Sequence, residues 1–356
     1  MWVAPRIRLV GCAVAVLVVA AGCGRGTPAV VARESVAKSV PDSAGSSASA
    51  ATGRWCDRIP RPANAALERV AGTGDWFDVY RVAPGVFALT EPRQFQEAIS
   101  WLIVGSDTAL LFDTGIGVTP IRPVVERLTK LPVEVLNSHT HYDHVGGNHE
   151  FERVLAVDEN YTRTNAAGFP HAPLAGEVAA GSFCGGGPRG LDTAAFHTLP
   201  WHAARTIRDG ERLSLGGRTI QVLRVPGHTP DALALVDSAN GLLWSGDTYY
   251  DGPIWLYVPE TDLDAYERSM ARLASLAPSL SRVFPAHNLA VSAPASLAAA
   301  RDAIASVRAH KVQGKVQDPG QVSFDFGTFG FLIAQPLLDG KRAIPVRGGN
   351  GLTRWR

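Results

Sequence analysis

Three histidines and one aspartate occupy four of six consecutive positions in the segment HTHYDH, residues 139–144. Neutral imidazole and carboxylate are the nitrogen and oxygen ligands that Zn²⁺ and related ions prefer. Without a metal, four such groups buried together would repel one another or keep polar atoms unpaired. His139 and His141 lie two positions apart, so in an extended chain both can point toward one ion, and Asp143 and His144 then turn toward a second. The segment therefore predicts a metal site.

Three further candidate ligands lie later in the chain. His228, Asp247 and His287 end the segments VPGH, WSGD and FPAH, each at the point where a predicted strand gives way to a loop. The segment HTHYDH likewise follows a predicted strand, Val133–Leu136. Strand ends are rigid, so side chains held there can be preorganised. We therefore expect all these side chains to converge on one site.

Short β-branched or aromatic runs, separated by turn residues, form a first series before this segment. They predict an antiparallel meander of four strands: Val79–Val82, Val86–Thr90, Ile99–Val104 and Ala109–Phe112. A predicted helix, Thr119–Lys130, follows the meander. Residues 168–190 are rich in Gly and Pro, which favours a long loop.

A second series predicts the strands Glu211–Leu215, Thr219–Val225, Ala232–Val236, Leu242–Trp244 and Arg282–Phe284. Before the last of them, apolar residues recur at three- and four-residue steps from Leu263 to Ala277, which predicts a helix capped by Thr261 or Asp262. Another helix is predicted at Ala293–Lys311. Two strand-rich halves, each followed by helix, suggest two sheets packed on each other with helices outside.

The order H-x-H-x-D-H, then His, Asp and His, resembles the metallo-β-lactamase superfamily, and specifically its dinuclear hydrolases such as glyoxalase II and the N-acyl-homoserine lactonases. The resemblance covers about residues 79–290. It implies an α/β (α+β) fold, the four-layer αββα sandwich. On this basis we expect a hydrolase domain at residues 55–311 and a C-terminal extension at 312–356.

The resemblance also implies a ligand set for two divalent metal ions. The expected ligands are His139, His141 and His228 for a first ion, Asp143, His144 and His287 for a second, and Asp247 as a bridge between them. Zinc is the expected metal, and the same ligands accept iron and manganese. A hydroxide shared by the ions would attack an ester, thioester, lactone or related small-molecule carbonyl substrate, and Asp143 would accept the proton of the attacking water. Asp113, in the segment LFDTG, matches a family aspartate that supports the ligands.

Several functions within the family stay open. Many dedicated β-lactamases have Cys or Ser at or near the bridging position, so Asp247 argues against that assignment but leaves weak β-lactamase activity open. An iron-dependent dioxygenase and a non-catalytic metal-binding lipoprotein are two further possibilities. Tyr250 matches a tyrosine that lactonases use on the substrate carbonyl, and its competing role is that of an aromatic in the pocket wall or core.

The first residues predict export. Arg6 and Arg8 precede an apolar run, Leu9–Ala21, whose length suits a signal peptide rather than a membrane span. The run ends in AAGC, which resembles a lipoprotein box with Cys23 as the lipidated residue. An ordinary secretory signal cleaved near Ala21 is the alternative. We expect a signal peptide at 1–22, a disordered tether at 23–54, and a protein anchored by lipid to the outer face of the cell membrane, or secreted or periplasmic.

Composition narrows the partners. The 356 residues include 34 Lys and Arg against 33 Asp and Glu, which gives a net charge of +1. This balance argues that the chain does not belong to the strongly basic class of nucleic-acid-binding proteins. Cys56 and Cys184 form either a disulfide, as an exported chain allows, or a free buried pair. The apolar segment Phe324–Leu338 covers either the domain itself or a partner. Nothing in the sequence specifies the oligomeric state.

Overall fold

The computed structural model describes residues 55–317, 320–345 and 353–355. Its first sheet has eight strands that neighbour one another in chain order. They are β1 (Glu68–Arg69), β2 (Asp78–Ala83), β3 (Val86–Thr90), β4 (Ile99–Val104), β5 (Ala109–Phe112), β6 (Val133–Leu136), β7 (Val154–Val157) and β8 (Ala203–Ile207). Pairing is antiparallel from β1 to β5, as the predicted meander requires, and parallel from β5 to β8.

The second half contributes the remaining strands. They are β9 (Arg212–Ser214), β10 (Thr219–Arg224), β11 (Leu233–Asp237), β12 (Leu242–Gly246), β13 (Pro253–Leu256), β14 (Arg282–Pro285), β15 (Lys315–Val316), β16 (Gln321–Asp325), β17 (Gly330–Ala334), β18 (Ala343–Pro345) and β19 (Thr353–Trp355). A five-stranded sheet has the order β14-β12-β11-β10-β9, and a smaller one has the order β13-β17-β16-β15. Strands β18 and β19 pair with each other.

The α-helices of the described residues are α1 (Pro62–Ala65), α2 (Arg122–Leu128), α3 (Tyr142–Val145), α4 (Asn160–Asn165), α5 (His171–Leu174), α6 (Leu263–Leu276), α7 (Ala295–Arg308) and α8 (Gln335–Leu338). Helix α2 is shorter than the predicted Thr119–Lys130. Pro120 disfavours helical geometry in the residue before it. Pro123 is accepted because it lies in the first turn, where a backbone N–H has no acceptor within the helix and its loss removes no helical hydrogen bond. No helix among the described residues is both long and apolar enough to cross a membrane.

Alternating side chains explain how the two large sheets stack. In β4, Ile99, Trp101 and Ile103 pack against residues of the second sheet, whereas Leu102 packs on the opposite face with α2. The Trp101 ring lies 4.9 Å from that of Phe284 in β14. Because both faces of the strand are covered, its apolar side chains lose their contact with water, which favours the stacked arrangement. Helices on the outer face of each sheet complete the four layers.

Helix α6 forms much of one outer layer. Asp262 is its cap and accepts a hydrogen bond from the Ala265 amide at 2.9 Å, which selects one of the two predicted caps. Leu263, Tyr266 and Met270 are buried against the second sheet, as their spacing predicts. The helix ends at Leu276, and a 3-10 turn follows.

The apolar segment Phe324–Leu338 covers the protein's own core. It forms β16, β17 and α8, and β17 pairs in parallel with β13. Phe331 and Ile333 are buried in the same cluster as α6 and α7. The predicted extension therefore contributes packing to the second half of the structure.

Cys56 and Cys184 form a disulfide, with their Cα atoms 5.5 Å apart. The structure thus selects the bonded state over the free pair. Residues 168–190, predicted as a loop, contain α5 and a 3-10 turn, and Leu174 and Phe183 bury their side chains. The predicted signal peptide and tether, residues 1–54, lie outside the described residues.

Candidate metal centre

All seven predicted ligands lie in segments that follow strands, and two of them belong to the short helix α3. His139 and His141 come between β6 and α3, and Asp143 and His144 form the first turn of α3. His228 follows β10, Asp247 follows β12 and His287 follows β14. The two sheets present these ends at the same edge, which brings together residues from both halves of the chain.

One turn depends on glycine for this placement. Gly227, directly before His228, has φ +140°, and a Cβ on it would lie 2.3 Å from the Tyr266 Cα in α6. Any side chain would therefore push the turn away from α6. The segment VPGH packs closely against α6 because its third residue has no side chain.

The first cluster consists of three ring nitrogens. His139 Nε2 lies 2.8 Å from His141 Nδ1, and His228 Nε2 lies 3.2 and 3.1 Å from those two atoms. A neutral ring nitrogen is either a donor or an acceptor, so at least one of the three contacts joins two atoms of the same kind. Tetrahedral Zn²⁺ with ligand bonds of about 2.0–2.1 Å places its nitrogens ~3.3 Å apart. The spacing fits a shared cation better than a hydrogen-bonded triad.

Neighbouring groups fix which nitrogen faces the cluster. His228 Nδ1 donates to the carbonyl oxygen of Trp255 at 2.8 Å, so in the neutral ring Nε2 has a free lone pair. His139 Nδ1 lies 3.1 Å from the Ser138 hydroxyl. Such bonds orient metal-binding imidazoles and set their tautomers.

The second cluster combines carboxylate and imidazole. Asp143 Oδ2 lies 3.4 Å from His144 Nε2 and 3.6 Å from His287 Nε2. His287 Nδ1 donates to the Gln96 carbonyl oxygen at 2.7 Å, and His144 Nδ1 lies 3.0 Å from Asp113 Oδ2. Asp113 also accepts the Ser138 amide at 2.6 Å, which places it behind the ligands as the sequence predicts.

Asp247 contacts both clusters with different oxygens. Its Oδ1 lies 3.1 Å from His287 Nε2 and 3.5 Å from His144 Nε2, and its Oδ2 lies 3.6 Å from His228 Nε2. Asp247 Oδ1 and His144 Nε2 are both buried, and neither makes a hydrogen bond of regular geometry. Buried polar atoms without partners are costly, and a cation would satisfy both. The donor set therefore fits divalent metal ions.

The two clusters differ in their protonation. Burial holds the pKa of His139 well below its ordinary value, lowers that of His141 to about 3, and lowers that of His228. Burial also disfavours the charged forms of His144 and His287, but nearby carboxylates, chiefly Asp143 for the former and Asp247 for the latter, outweigh it and raise both pKa values.

The imidazoles of the second cluster favour the ionised forms of Asp143 and Asp247. Burial alone would raise the pKa of Asp143, but His144 and His287 lower it to about 2. Burial likewise opposes ionisation of Asp247, and the same two imidazoles hold its pKa well below the ordinary value.

A supporting carboxylate that the sequence analysis missed is Asp231. It is buried and accepts hydrogen bonds from Thr140 at 2.6 Å, Thr162 at 2.9 Å and Thr229 at 2.7 Å. Thr140 lies between two ligands and Thr229 directly follows His228, so Asp231 fixes the backbone of the first cluster. The segment HTPD, residues 228–231, was the available signal.

A second missed group lies beside α3. Glu177 accepts the Tyr142 hydroxyl at 2.7 Å and the Gln96 side-chain amide at 3.2 Å. Burial raises the pKa of Glu177 to about 7, although these hydrogen bonds oppose the shift. This network ties residues 168–190 to the turn that contains Asp143.

Tyr250 is buried, and its ring centroid lies 5.0 Å from that of His287. Its hydroxyl donates to the Pro253 carbonyl oxygen at 2.5 Å. Tyr250 therefore lies against the site with its hydroxyl proton already engaged by the backbone.

The sequence model of the metallo-beta-lactamase superfamily matches residues 98–310, more than half of the chain. The chain belongs to the metallo-beta-lactamase superfamily. The match extends from just before β4 to the end of α7 and includes all seven predicted ligands. It confirms the predicted family and the sandwich fold.

Relatives within the superfamily are named hydrolases. The chain is 26% identical over 231 residues to acyl-coenzyme A thioesterase MBLAC2 of Homo sapiens, covering 60% of this chain and 81% of that protein. It is 30% identical over 220 residues to hydroxyacylglutathione hydrolase of Methylococcus capsulatus, covering 59% and 73%. These relatives confirm the prediction of a metallo-β-lactamase-fold hydrolase.

Solved structures agree on the fold. The sec-alkylsulfatase Pisa1 from Pseudomonas sp. aligns with a TM-score of 0.50 at 18% identity, covering 65% of this chain and 42% of that chain. At this identity the likeness extends to the fold alone. Together with the His and Asp clusters, the family membership supports a metal-dependent hydrolase.

Proposed function

We propose that the protein is a dinuclear metal-dependent hydrolase whose substrates are acyl thioesters and related esters or lactones. The observation that carries the proposal is Asp247, whose two carboxylate oxygens face two different clusters of donors. A single ion would need only one of those clusters. We assign His139, His141 and His228 to one ion, Asp143, His144 and His287 to the other, and Asp247 to both, with zinc as the expected metal.

The residues of the chain prepare the site for hydrolysis. Two such ions, when bound, make water nucleophilic at neutral pH and polarise the carbonyl oxygen of the substrate. Asp143 and Asp247 are ionised and buried, so each supplies negative charge without reorganisation. Asp143 is the group that we assign to accept the proton of the attacking water.

Tyr250 is a less direct candidate for contacting the substrate carbonyl. Its hydroxyl can donate to the substrate carbonyl only after the bond to Pro253 O opens. We propose Tyr250→Phe as the test: a catalytic role predicts a fall in kcat, whereas a role in the pocket wall predicts unchanged kcat. Either outcome is compatible with the metal chemistry.

Aromatic side chains beside the clusters support an acyl substrate. The Tyr161 ring lies 6.1 Å from that of His141, and the Trp255 ring lies 5.5 Å from that of Tyr257. Tyr161, Trp255 and Tyr257 are only partly buried. Flat apolar faces suit the alkyl or aryl part of an acyl group. The relatives named acyl-coenzyme A thioesterase and hydroxyacylglutathione hydrolase favour thioesters within this class.

We also propose that the chain is exported and held at the outer face of the cell membrane by lipid on Cys23, with an ordinary secreted or periplasmic protein as the alternative. The disulfide Cys56–Cys184 supports an oxidising compartment. Labelling of expressing cells with a fatty-acid analogue tests the anchor: the native chain should carry label and Cys23→Ala should not. Export without label would favour the ordinary signal.

The enzymatic proposal is tested by metal content and turnover measured on the same purified protein. We expect two ions per chain, hydrolysis of short acyl thioesters, loss of activity with a chelator and recovery with Zn²⁺. Lactones and β-lactams belong in the same panel because they test the related activities. Two bound ions with no turnover of any substrate would instead favour the non-catalytic metal-binding lipoprotein.

A further inference from the structure

Residues 55–66, here called the N-terminal strap, cross the protein beside the second cluster. The strap contains a 3-10 turn, Trp55–Arg58, and α1. It precedes the first residue of the family match, residue 98. The first attachment of the strap is the disulfide from Cys56 to Cys184. Cys184 lies in the segment 168–190, which also contains Glu177.

Arg61 makes the second attachment with a three-pronged contact. Its Nε and Nη2 donate to the two carboxylate oxygens of Glu97 at 2.6 and 2.7 Å, and Nη2 also donates to Asn288 Oδ1 at 2.7 Å. The Glu97 side chain is 7% exposed, so Arg61 is the cation that compensates a buried carboxylate. The fork therefore reinforces the contact between two segments that are remote in sequence and that the backbone also joins, through the Asn288 amide and the Glu97 carbonyl oxygen at 3.2 Å.

Asn64 makes the third attachment, on the same segment. Its Nδ2 donates to the Asn288 carbonyl oxygen at 2.7 Å, and its Oδ1 accepts the Ala290 amide at 2.9 Å. The side chain is buried, with 7% exposure. Asn64 thus pairs with the backbone on both sides of Leu289, just after the ligand His287.

The two segments joined by Arg61 are the ones that orient His287. Asn288 directly follows that histidine, and Glu97 directly follows Gln96, whose carbonyl oxygen accepts the His287 Nδ1 proton. Glu97 and Asn288 have φ +46° and +66°, a left-handed conformation that costs free energy in residues other than glycine and persists only when surrounding contacts hold it.

We infer that Arg61 and Asn64 are positioning residues for the second metal ion, because they hold the His287 imidazole and its hydrogen-bond acceptor in one geometry. This inference rests on the proposed assignment of His287 as a ligand. Neither residue touches the cluster itself. Their effect passes through Asn288 on one side and through Glu97 and Gln96 on the other.

The test is a Zn²⁺ titration of the metal-stripped full-length chain against a chromophoric chelator, which resolves the two binding steps. His287→Ala identifies the step that belongs to the second ion. Arg61→Met, which keeps the side-chain length and removes the fork, should weaken that step about 10- to 100-fold, as loss of a partner that orients a ligand typically does. The first step should be unchanged.

Arg218→Met is the matched control. Arg218 forms a comparable ion pair with Asp237, at 3.1 Å and with side chains 11% and 0% exposed. The pair lies at the end of β11 away from the metal clusters, because Leu233 at the other end bonds Ser138. We expect Arg218→Met to lower the melting temperature of the metal-free chain while leaving both binding steps within about twofold of wild type.

The outcomes separate the inference from the proposed site. If His287→Ala loses one ion and Arg61→Met binds both like wild type, or weakens both steps equally, the inference is overturned and the metal centre stands. If His287→Ala itself keeps both ions, the ligand assignment is wrong and the inference falls with it. Should Arg61→Met not fold, Asn64→Ala decides: it leaves the Glu97 pair intact and should still weaken only the second step.

Discussion

The two clusters of the metal centre face each other across Asp247 and differ in chemistry. The first consists of three imidazoles, and burial lowers the pKa of each of them. The second contains Asp143, and carboxylates raise the pKa values of His144 and His287. The imidazoles of the first cluster therefore lose their protons at lower pH than those of the second, so a cation competes with protons mainly at the second cluster.

The clusters also differ in what holds them. Asp231 fixes the first through threonines adjacent to its ligands, whereas Asp113 bonds directly to His144 in the second. His287 in the second depends on backbone segments far from it in sequence. We infer that the second ion is the one whose affinity is easier to change by mutation.

Removing the group shared by both clusters should have the largest effect. Asp247→Ala takes a ligand from each ion and leaves His144 and His287 without their carboxylate partner. We expect activity to fall on the order of 1000-fold, at the upper end of the effect of losing one charge-stabilising group, with loss of the second ion. Steady-state kinetics and metal analysis check this, with circular dichroism as the control for folding. An Asp247→Ala protein with normal ion content and rate would remove the bridge from the account.

Substitution of a ligand that belongs to one cluster should affect the binding of only one of the two ions. His228→Ala should lose the first ion and His287→Ala the second, each with binding weakened by at least about 100-fold, since loss of a ligand exceeds loss of a ligand's partner. Zn²⁺ titration of both metal-stripped variants measures the two steps. If both variants lost the same step, the division into two clusters would be wrong.

Supporting carboxylates provide a milder version of the same comparison. In Asp113→Asn, the side-chain amide can donate to His144 Nδ1, which moves the ring proton onto Nε2 and blocks metal binding there. The affinity for the second ion should therefore fall about 10- to 100-fold. Asp231→Asn should lower the affinity for the first ion by a factor near the lower end of that range, because Asp231 acts on the ligands only through Thr140 and Thr229. The same titration applies. Equal effects on both steps from either variant would show that these residues support the fold rather than one cluster.

Proton release should distinguish the clusters without mutation. At pH 7 the first ion should displace almost no protons, because its imidazoles are already neutral. The second should displace protons held by His144 and His287, whose pKa values the nearby carboxylates raise, so its affinity should rise with pH more steeply than that of the first ion. Calorimetric titrations in two buffers of different ionisation enthalpy count these protons. Equal release at both steps would contradict the assigned difference.

Local pattern was enough to predict much of the fold. Strands β3, β4 and β5 have the predicted bounds, because continuous apolar runs between turn residues describe strands buried on both faces. Strand β6 also has the predicted bounds, although it contains Glu134 and only its last two residues are buried. Strand β8 was not predicted, since most of its residues are exposed and it has no apolar pattern. The structure brings together all seven predicted ligands, which could be recognised because their residue types recur in the family order.

The supports of the site could not be predicted in the same way. Arg61 and Asn288 are 227 positions apart, and nothing in either local sequence indicates their contact. Asp231 and Glu177 resemble ordinary loop carboxylates until the fold places hydroxyls and amides around them. Such contacts arise from tertiary packing, so they appear only when the sheets are assembled.

Anomalous diffraction from crystals of the zinc-loaded protein, recorded at the zinc edge, tests the central claim most directly. The account predicts two peaks about 3.5–4 Å apart, one beside His139, His141 and His228, the other beside Asp143, His144 and His287, with an oxygen of Asp247 on each. A single peak, or two peaks of which only one contacts Asp247, would contradict it.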